Sequence, residues 1–251
     1  MSRTVLGVVC GVSFDSTHVS FGVVTAAVNR GPWTLEGSVF NGREPDEHRW
    51  NFDFGKMDSV SGRVWYQPTK TWEFQASTGH LVQPEALEPG NVERTTLSAS
   101  WFRPSDRDFV ALTIGYGVNA KEGTNRQAAF GEFTRHVGVT TLSTRVEMLQ
   151  AETAVLLDDV VPATPALAGQ QRLLGTFTLG ASREISRWRG FESAIGGDLV
   201  FFVAPSVLRP AYGSRPFSFQ LYVQIRPPTG SMGRMWNMRM ARSMADGHPG
   251  M

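Results

Sequence analysis

Residues 216 to 227, PFSFQLYVQIRP, alternate without a break. Phe217, Phe219, Leu221, Val223 and Ile225 fall on one side of an extended chain, and Ser218, Gln220, Tyr222, Gln224 and Arg226 on the other. A period of two is the signature of a strand with one apolar and one polar face, and the apolar face must meet either a protein core or lipid. The same pattern recurs along the chain and predicts strands at about 18–29, 33–42, 57–67, 71–81, 92–103, 108–119, 126–136, 138–149, 171–183, 190–203 and 216–226.

The breakers between these runs fall in a regular order. Short connections at 30–32, 67–70, 103–107, the corner near Val137 and Gly138, and 184–189 alternate with long ones at 42–56, 82–91, 120–126, 150–170 and 204–215. Every second turn then lies at one end of the structure. An antiparallel up-and-down transmembrane β-barrel, with short periplasmic turns and longer outside loops, has this layout. A soluble sandwich with Greek-key crossings does not normally keep it over ten connections. The pattern therefore predicts an all-β outer-membrane barrel over residues 1–227, with about 11 or 12 strands in this chain.

With apolar faces turned to lipid, the polar faces line an interior that holds Glu36, Arg63, Glu73, Arg94, Arg145, Glu147, Arg172 and Arg226. Mixed signs on one wall neutralise each other, so strong ion selectivity does not follow. Trp33, Trp65, Tyr66, Trp72, Trp101, Phe102, Phe109 and Trp188 cluster near the short turns, as an interfacial aromatic girdle requires. The first and last predicted strands both descend to the short-turn end. Eleven strands leave one ascending partner missing, which residues 4–13 would supply to close an even-numbered barrel, unless the chain is a piece of a larger one.

Composition narrows the remaining choices. Lys and Arg number 24 against 23 Asp and Glu, which gives no electrostatic reason to expect nucleic acid. The single cysteine, Cys10, excludes an intrachain disulfide framework and multi-cysteine metal sites. The longest apolar run, VLGVVCGV at 5–12, is far too short for a membrane-spanning helix. It also reads as a strand or an artefactual start rather than a secretion or lipoprotein signal, because its charged region is one residue long and Gly7, Val8 and Val9 precede Cys10.

Three stretches, DSTHVSFGVVTA (15–26), FNGREPDEHRW (40–50) and LEPGNVERTTLSASW (87–101), resemble a poorly characterised group of Gram-negative outer-membrane β-barrel proteins. The resemblance runs from Asp15 to the tail. Members of that group are longer, with further strands and a secretion signal upstream. Residues 1–14 do not match, so the resemblance implies that the N-terminal part is missing through truncation or a misplaced start. It implies a location in the bacterial outer membrane and assigns no reaction, ligand or functional residue.

Candidate chemistry is sparse. Residues 228–251 read as a disordered periplasmic tail in which Met232, Met235, Met238, Met240, Met244 and Met251 accompany His248. Thioethers are soft ligands that select Cu(I) or Ag(I), and closely spaced methionines can wrap such an ion. The plain alternative uses Met as adaptable apolar filler. His18 and Ser20, two apart on a strand, share a side and have the placement of a nucleophile and its base, with Asn29 or Asn41 as a third member. Some outer-membrane lipid hydrolases resemble this, but His-x-Ser is a very weak pattern. The loop that holds Glu44, Asp46, Glu47, His48 and Asp53 offers carboxylate oxygens for a divalent cation, although a solvated or lipopolysaccharide-facing loop with its charges bridged by Arg43 and Arg49 is the stronger reading. His80 and His136 are isolated and read as loop or girdle residues. The chain has no P-loop, dinucleotide glycine pattern, HExxH or paired cysteines.

The sequence thus predicts a porin-like or accessory barrel for small solutes or metal ions, linked to copper or silver through the tail, and not an enzyme. Its partners are outer-membrane lipid and lipopolysaccharide. Two other classes compete: the lipid hydrolase and a soluble β-sandwich binding module.

Overall fold

The computed structural model describes residues 22–45, 53–85, 89–105, 108–152, 170–188 and 191–226. Eleven strands follow one another: β1 (Val23–Arg30), β2 (Trp33–Phe40), β3 (Ser59–Tyr66), β4 (Trp72–Leu81), β5 (Val92–Pro104), β6 (Phe109–Lys121), β7 (Thr124–Val137), β8 (Thr140–Glu152), β9 (Gln171–Trp188), β10 (Phe191–Val203) and β11 (Phe217–Arg226). Each pairs antiparallel with the next in one sheet of sequential order, which is the expected up-and-down arrangement without a Greek-key crossing. No described helix is long and apolar enough to cross a membrane. Among the described residues β1 and β11 are the two edges, and both run toward the short-turn end. Residues 4–13, expected to close the wall, lie outside the described residues.

Two expected connections are shorter than the sequence suggested. The polar run at 120–126 collapses to a hairpin at Glu122 and Gly123, both at positive φ (49° and 80°), the geometry of a primed two-residue turn. Its Lys, Asn and Thr neighbours continue the strands, so polarity there marks strand beyond the apolar band, not loop. Likewise β9 runs through Trp188 and absorbs most of the expected turn at 184–189, with a register irregularity opposite Ser193 and Ala194. At the short-turn end Gly31 takes φ 57° before Pro32, a pairing that a β-branched residue at position 31 would strain.

The registers define two faces. Rows such as Trp33, Tyr66, Phe74, Ala99 and Ile114, continued by Val146, Phe177, Phe201 and Phe217, make up the apolar face. Glu36 opposite Arg63, Ser98 opposite Gly115, and Glu132 opposite Arg145 belong to the polar face. Side chains on the polar face crowd one another, whereas the apolar row of β11 is between 68 % and 78 % exposed. Burying a large apolar side chain is worth about 1.5–3 kcal/mol. Leaving five of them bare on one strand thus costs on the order of 5–10 kcal/mol, comparable to the whole stability of a domain.

The structure divides the expected aromatic girdle. Trp33, Tyr66, Trp72, Trp101 and Trp188 stand on the apolar face, where Trp33 stacks on Tyr66 with ring centroids 4.2 Å apart. Trp65, Phe102 and Phe109 take the opposite parity and point to the polar face. Adjacent residues on a strand alternate faces, so Trp65 and Tyr66 cannot both join one girdle.

Candidate functional site

The polar face carries a band of hydroxyls, amides and charges between two apolar ends. In its middle, Ser77 Oγ and Thr96 Oγ1 lie 2.7 Å apart and Ser98 Oγ donates to Gln75 Oε1 at 3.3 Å. Beside them Trp65 Nε1–H donates to Glu36 Oε2 at 3.0 Å, and the Arg63 guanidinium lies 3.8 Å from that carboxylate and 5.6 Å from the Trp65 ring. The inward turn of Trp65 therefore has a purpose the girdle reading missed: the indole anchors an acidic side chain.

The densest charge cluster lies on β7 to β9. Arg145 Nη1 donates to Glu132 at 2.8 Å and its Nη2 to Glu147 at 2.6 Å, while Thr176 Oγ1 donates to the second Glu147 oxygen at 3.1 Å. The guanidinium stacks 4.5 Å from the Phe130 ring, which lies over Gly115 on the neighbouring strand. Gly115 leaves room that a Cβ would take from that ring, so ring, guanidinium and two carboxylates form one contiguous group. Half-exposed ion pairs contribute about 0–1 kcal/mol each; this arrangement fixes where charge stands more than it stabilises the sheet.

Glu36, Arg63, Glu73, Arg94, Arg145, Glu147 and Arg172, read from the sequence as one wall, all fall on this face. Arg226 is opposite Glu192 in register. Arg94 donates to Asn119 at 2.8 Å, and Arg172 to Gln170 at 3.1 Å. The sequence reading missed Glu132, Arg126 and Glu192, although all three follow the parity of their strands. Arg126 pairs with Glu152 at 2.9 Å, and Arg187 with the buried Glu192 at 3.2 Å.

A second element missed from sequence is the connection at 204–216. The sequence predicts one more outside loop there. Instead a short 3-10 turn, Ser206–Leu208, and a one-turn helix α1, Arg209–Tyr212, fold back onto the wall. Leu208 is fully buried against Ala128, Leu149, Ala151 and Leu174, all facing the polar side near the loop end. These four apolar residues break the polar alternation of β7, β8 and β9, and that break was the legible signal that something covers them. Beside it, at the loop end of the sheet, Arg94, Asn119, Lys121, Arg126 and Glu152 help line a cavity of about 340 Å³.

The other candidates fare differently. His18, Ser20, Met232, Met235, Met238, Met240, Met244 and His248 lie outside the described residues, as do Asp46, Glu47 and His48. Among the described residues no three His, Cys, Asp or Glu side chains come together as a metal site. His80 and His136 are neither isolated nor in loops. His80 lies in β4 and pairs with Glu93 across β5. His136 is buried on the polar side, where it bonds Thr141 at 2.8 Å and stacks 5.4 Å from Phe109.

No family model matches the chain, and no curated protein does. Three solved structures are similar in arrangement. OccK8 (OprE) of Pseudomonas aeruginosa has TM-score 0.48 and 9 % identity, over 77 % of this chain and 58 % of that one. An anion-selective porin from Comamonas acidovorans has TM-score 0.45 and 12 % identity, over 81 % and 57 %. OccK2 (OpdF) of P. aeruginosa, solved in complex with glucuronate, has TM-score 0.41 and 9 % identity, over 80 % and 65 %. The chain thus spans less than two thirds of each, and no residue here takes a role from them.

Proposed function

We propose that this chain is wall of a porin-like β-barrel in the bacterial outer membrane, through which small hydrophilic solutes pass along the polar face. The observation that carries the reading is the bare apolar face. Its exposure is too costly in water and costs nothing in hydrocarbon. The apolar groove of about 510 Å³ bordered by Trp33, Tyr66, Phe74, Leu97, Ile114 and Tyr116 fits the same role, because acyl chains fill such a surface.

On this reading the Glu132–Arg145–Glu147 cluster and the Glu36–Arg63 pair line the passage, and the in-folded segment around Leu208 narrows it at the loop end. Closely balanced fixed charge orients dipolar or zwitterionic solutes without blocking either sign of ion. The test is reconstitution of the full-length protein in planar bilayers: stepwise conductance that responds to substitutions on the polar face supports the reading, and a wall that inserts without any conductance refutes the open passage. The link to Cu(I) or Ag(I) rests on methionine spacing in 232–244 alone, and the hydrolase on the His18 and Ser20 pattern alone.

A further inference from the structure

Arginines in this wall sort into two populations. Those on the polar face whose side chains are described are partnered: Arg63 with Glu36, Arg94 with Asn119, Arg126 with Glu152, Arg145 with Glu132 and Glu147, Arg172 with Gln170, and Arg187 with Glu192. Four others, Arg30, Arg103, Arg135 and Arg183, follow the parity of the apolar face; Arg30 is opposite Trp33, Arg103 opposite Val110, Arg135 opposite Val110 and Leu142, and Arg183 opposite Thr140 and Ile195. All four are exposed and make no hydrogen bond or ion pair with the described residues.

Their placement is one-sided. Each stands toward the short-turn end of a strand that runs in the same direction, on β1, β5, β7 and β9. The strand positions of the apolar face at this end hold no Asp or Glu among the described residues. Of the described acids at this end, Asp108 accepts the Gly138 N–H at 2.8 Å and so caps the β7–β8 turn, and Glu184 and Glu192 of the polar face pair with Arg187. At the long-loop end the same face carries no unpaired arginine among the described residues, with His80 bonded to Glu93 and Tyr116 Oη donating to Gln127 at 2.8 Å. Arg103 and Arg135 flank Val110 in one row, so about 10 Å separates their backbones, two strand spacings.

We infer that Arg103, Arg135 and Arg183, extended by Arg30, form a phosphate-binding belt for anionic glycerophospholipid headgroups at the short-turn rim. The inference rests on the membrane reading and adds to it a ligand and a side. A guanidinium on a lipid-facing strand next to aromatic rings runs its methylene stem along hydrocarbon and lifts its charge to the headgroups. Its planar fork matches a phosphodiester, and with no Asp or Glu among the described positions of the apolar face at this end, a lipid phosphate supplies the counter-ion. The belt would hold the short-turn rim at the headgroup level of one leaflet.

The test compares the full-length protein with the R103Q/R135Q/R183Q variant in mild neutral detergent, titrating phosphatidylglycerol, phosphatidylcholine or lipopolysaccharide and following the unfolding midpoint. A basic group at an anionic surface is worth about five-fold in affinity, so removing three weakens phosphatidylglycerol binding about a hundredfold. The expected result is a midpoint rise with phosphatidylglycerol that shrinks with added salt, exceeds that with phosphatidylcholine, and disappears in the variant. H80Q/E93Q, altered at the opposite end, retains the rise. An equal rise in the triple variant, or a response to lipopolysaccharide alone, overturns the belt. Insertion of both proteins into bilayers is measured in parallel, so that failure to insert, which would sink the membrane reading too, is distinguished from failure of the belt.

Discussion

Replacing Leu208 by Ala separates docking of the in-folded segment from stability of the wall. Leu208 is fully buried, and its contacts are apolar side chains of three neighbouring strands. The hydrogen bonds of the 3-10 turn and α1, Leu208 N–H to Pro205 O at 3.0 Å and Gly213 N–H to Arg209 O at 2.8 Å, are internal to the segment. Leu208 is the segment's most deeply buried contact with β7 to β9, with half-buried Val207, Ala211 and Tyr212 packed around it. A buried Leu to Ala change costs roughly 2–5 kcal/mol, and a segment at a water-facing rim relaxes enough to place the loss near the lower end. About 2–3 kcal/mol raises the detached population about 30- to 150-fold. Chymotryptic cleavage after Tyr212 reads this population when reclosing outpaces cleavage. Leu208→Ala should be cut about 30-fold faster or more, while Ser206→Ala, at an exposed position, is cut at the wild-type rate. Unchanged cleavage of Leu208→Ala in an intact wall would refute the assignment of Leu208 as the anchor.

Other consequences follow from the same geometry. Arg145→Gln removes the cation between Glu132 and Glu147, so the reversal potential in a salt gradient should move toward cation selectivity; a shift toward anions would contradict the lining role. Gly115→Ala puts a methyl where the Phe130 ring lies and should lower stability by about 1–3 kcal/mol, measured by urea unfolding in detergent, with no effect if the ring is not seated there. In the 41–58 connection, hydrogen bonds from Arg43 at 2.9 and 2.7 Å hold the Asp58 carboxyl below the usual carboxylate range. A lowered carboxylate pKa stabilises at pH above the ordinary aspartate value of about 3.9, and the contribution is lost as pH falls through the folded value. Amide protection around Arg43, taken relative to the intrinsic exchange rate at each pH, should thus stay flat from pH 7 to about 4 and fall below it; Asp58→Asn should abolish that step.

The strands and their faces were legible because period two is written into every segment, as in the β11 row from Phe217 to Ile225. Turn lengths were less so: Lys121 and Asn125 look like loop, yet they extend a hairpin whose Gly123 supplies the required backbone freedom. The charged wall was readable by parity, but its pairings were not, since cross-strand partners such as Glu132 and Arg145 depend on register. Trp65 shows the limit of composition, because an aromatic near a turn belongs to a girdle only if its parity faces lipid. The Leu208 anchor needed the converse observation, that Leu149 and Leu174 are apolar where their neighbours are polar.

The central claim, that the apolar face meets lipid, is tested most directly by a cysteine scan of 217–225 in a Cys10→Ser background. Each single cysteine carries an environment-sensitive fluorophore in reconstituted bilayers and is exposed to brominated lipid or to an aqueous quencher. The account predicts a strict period of two, with positions 217, 219, 221, 223 and 225 quenched from the lipid and 218, 220, 222 and 224 from water. Quenching of both parities by the aqueous agent alone would contradict it.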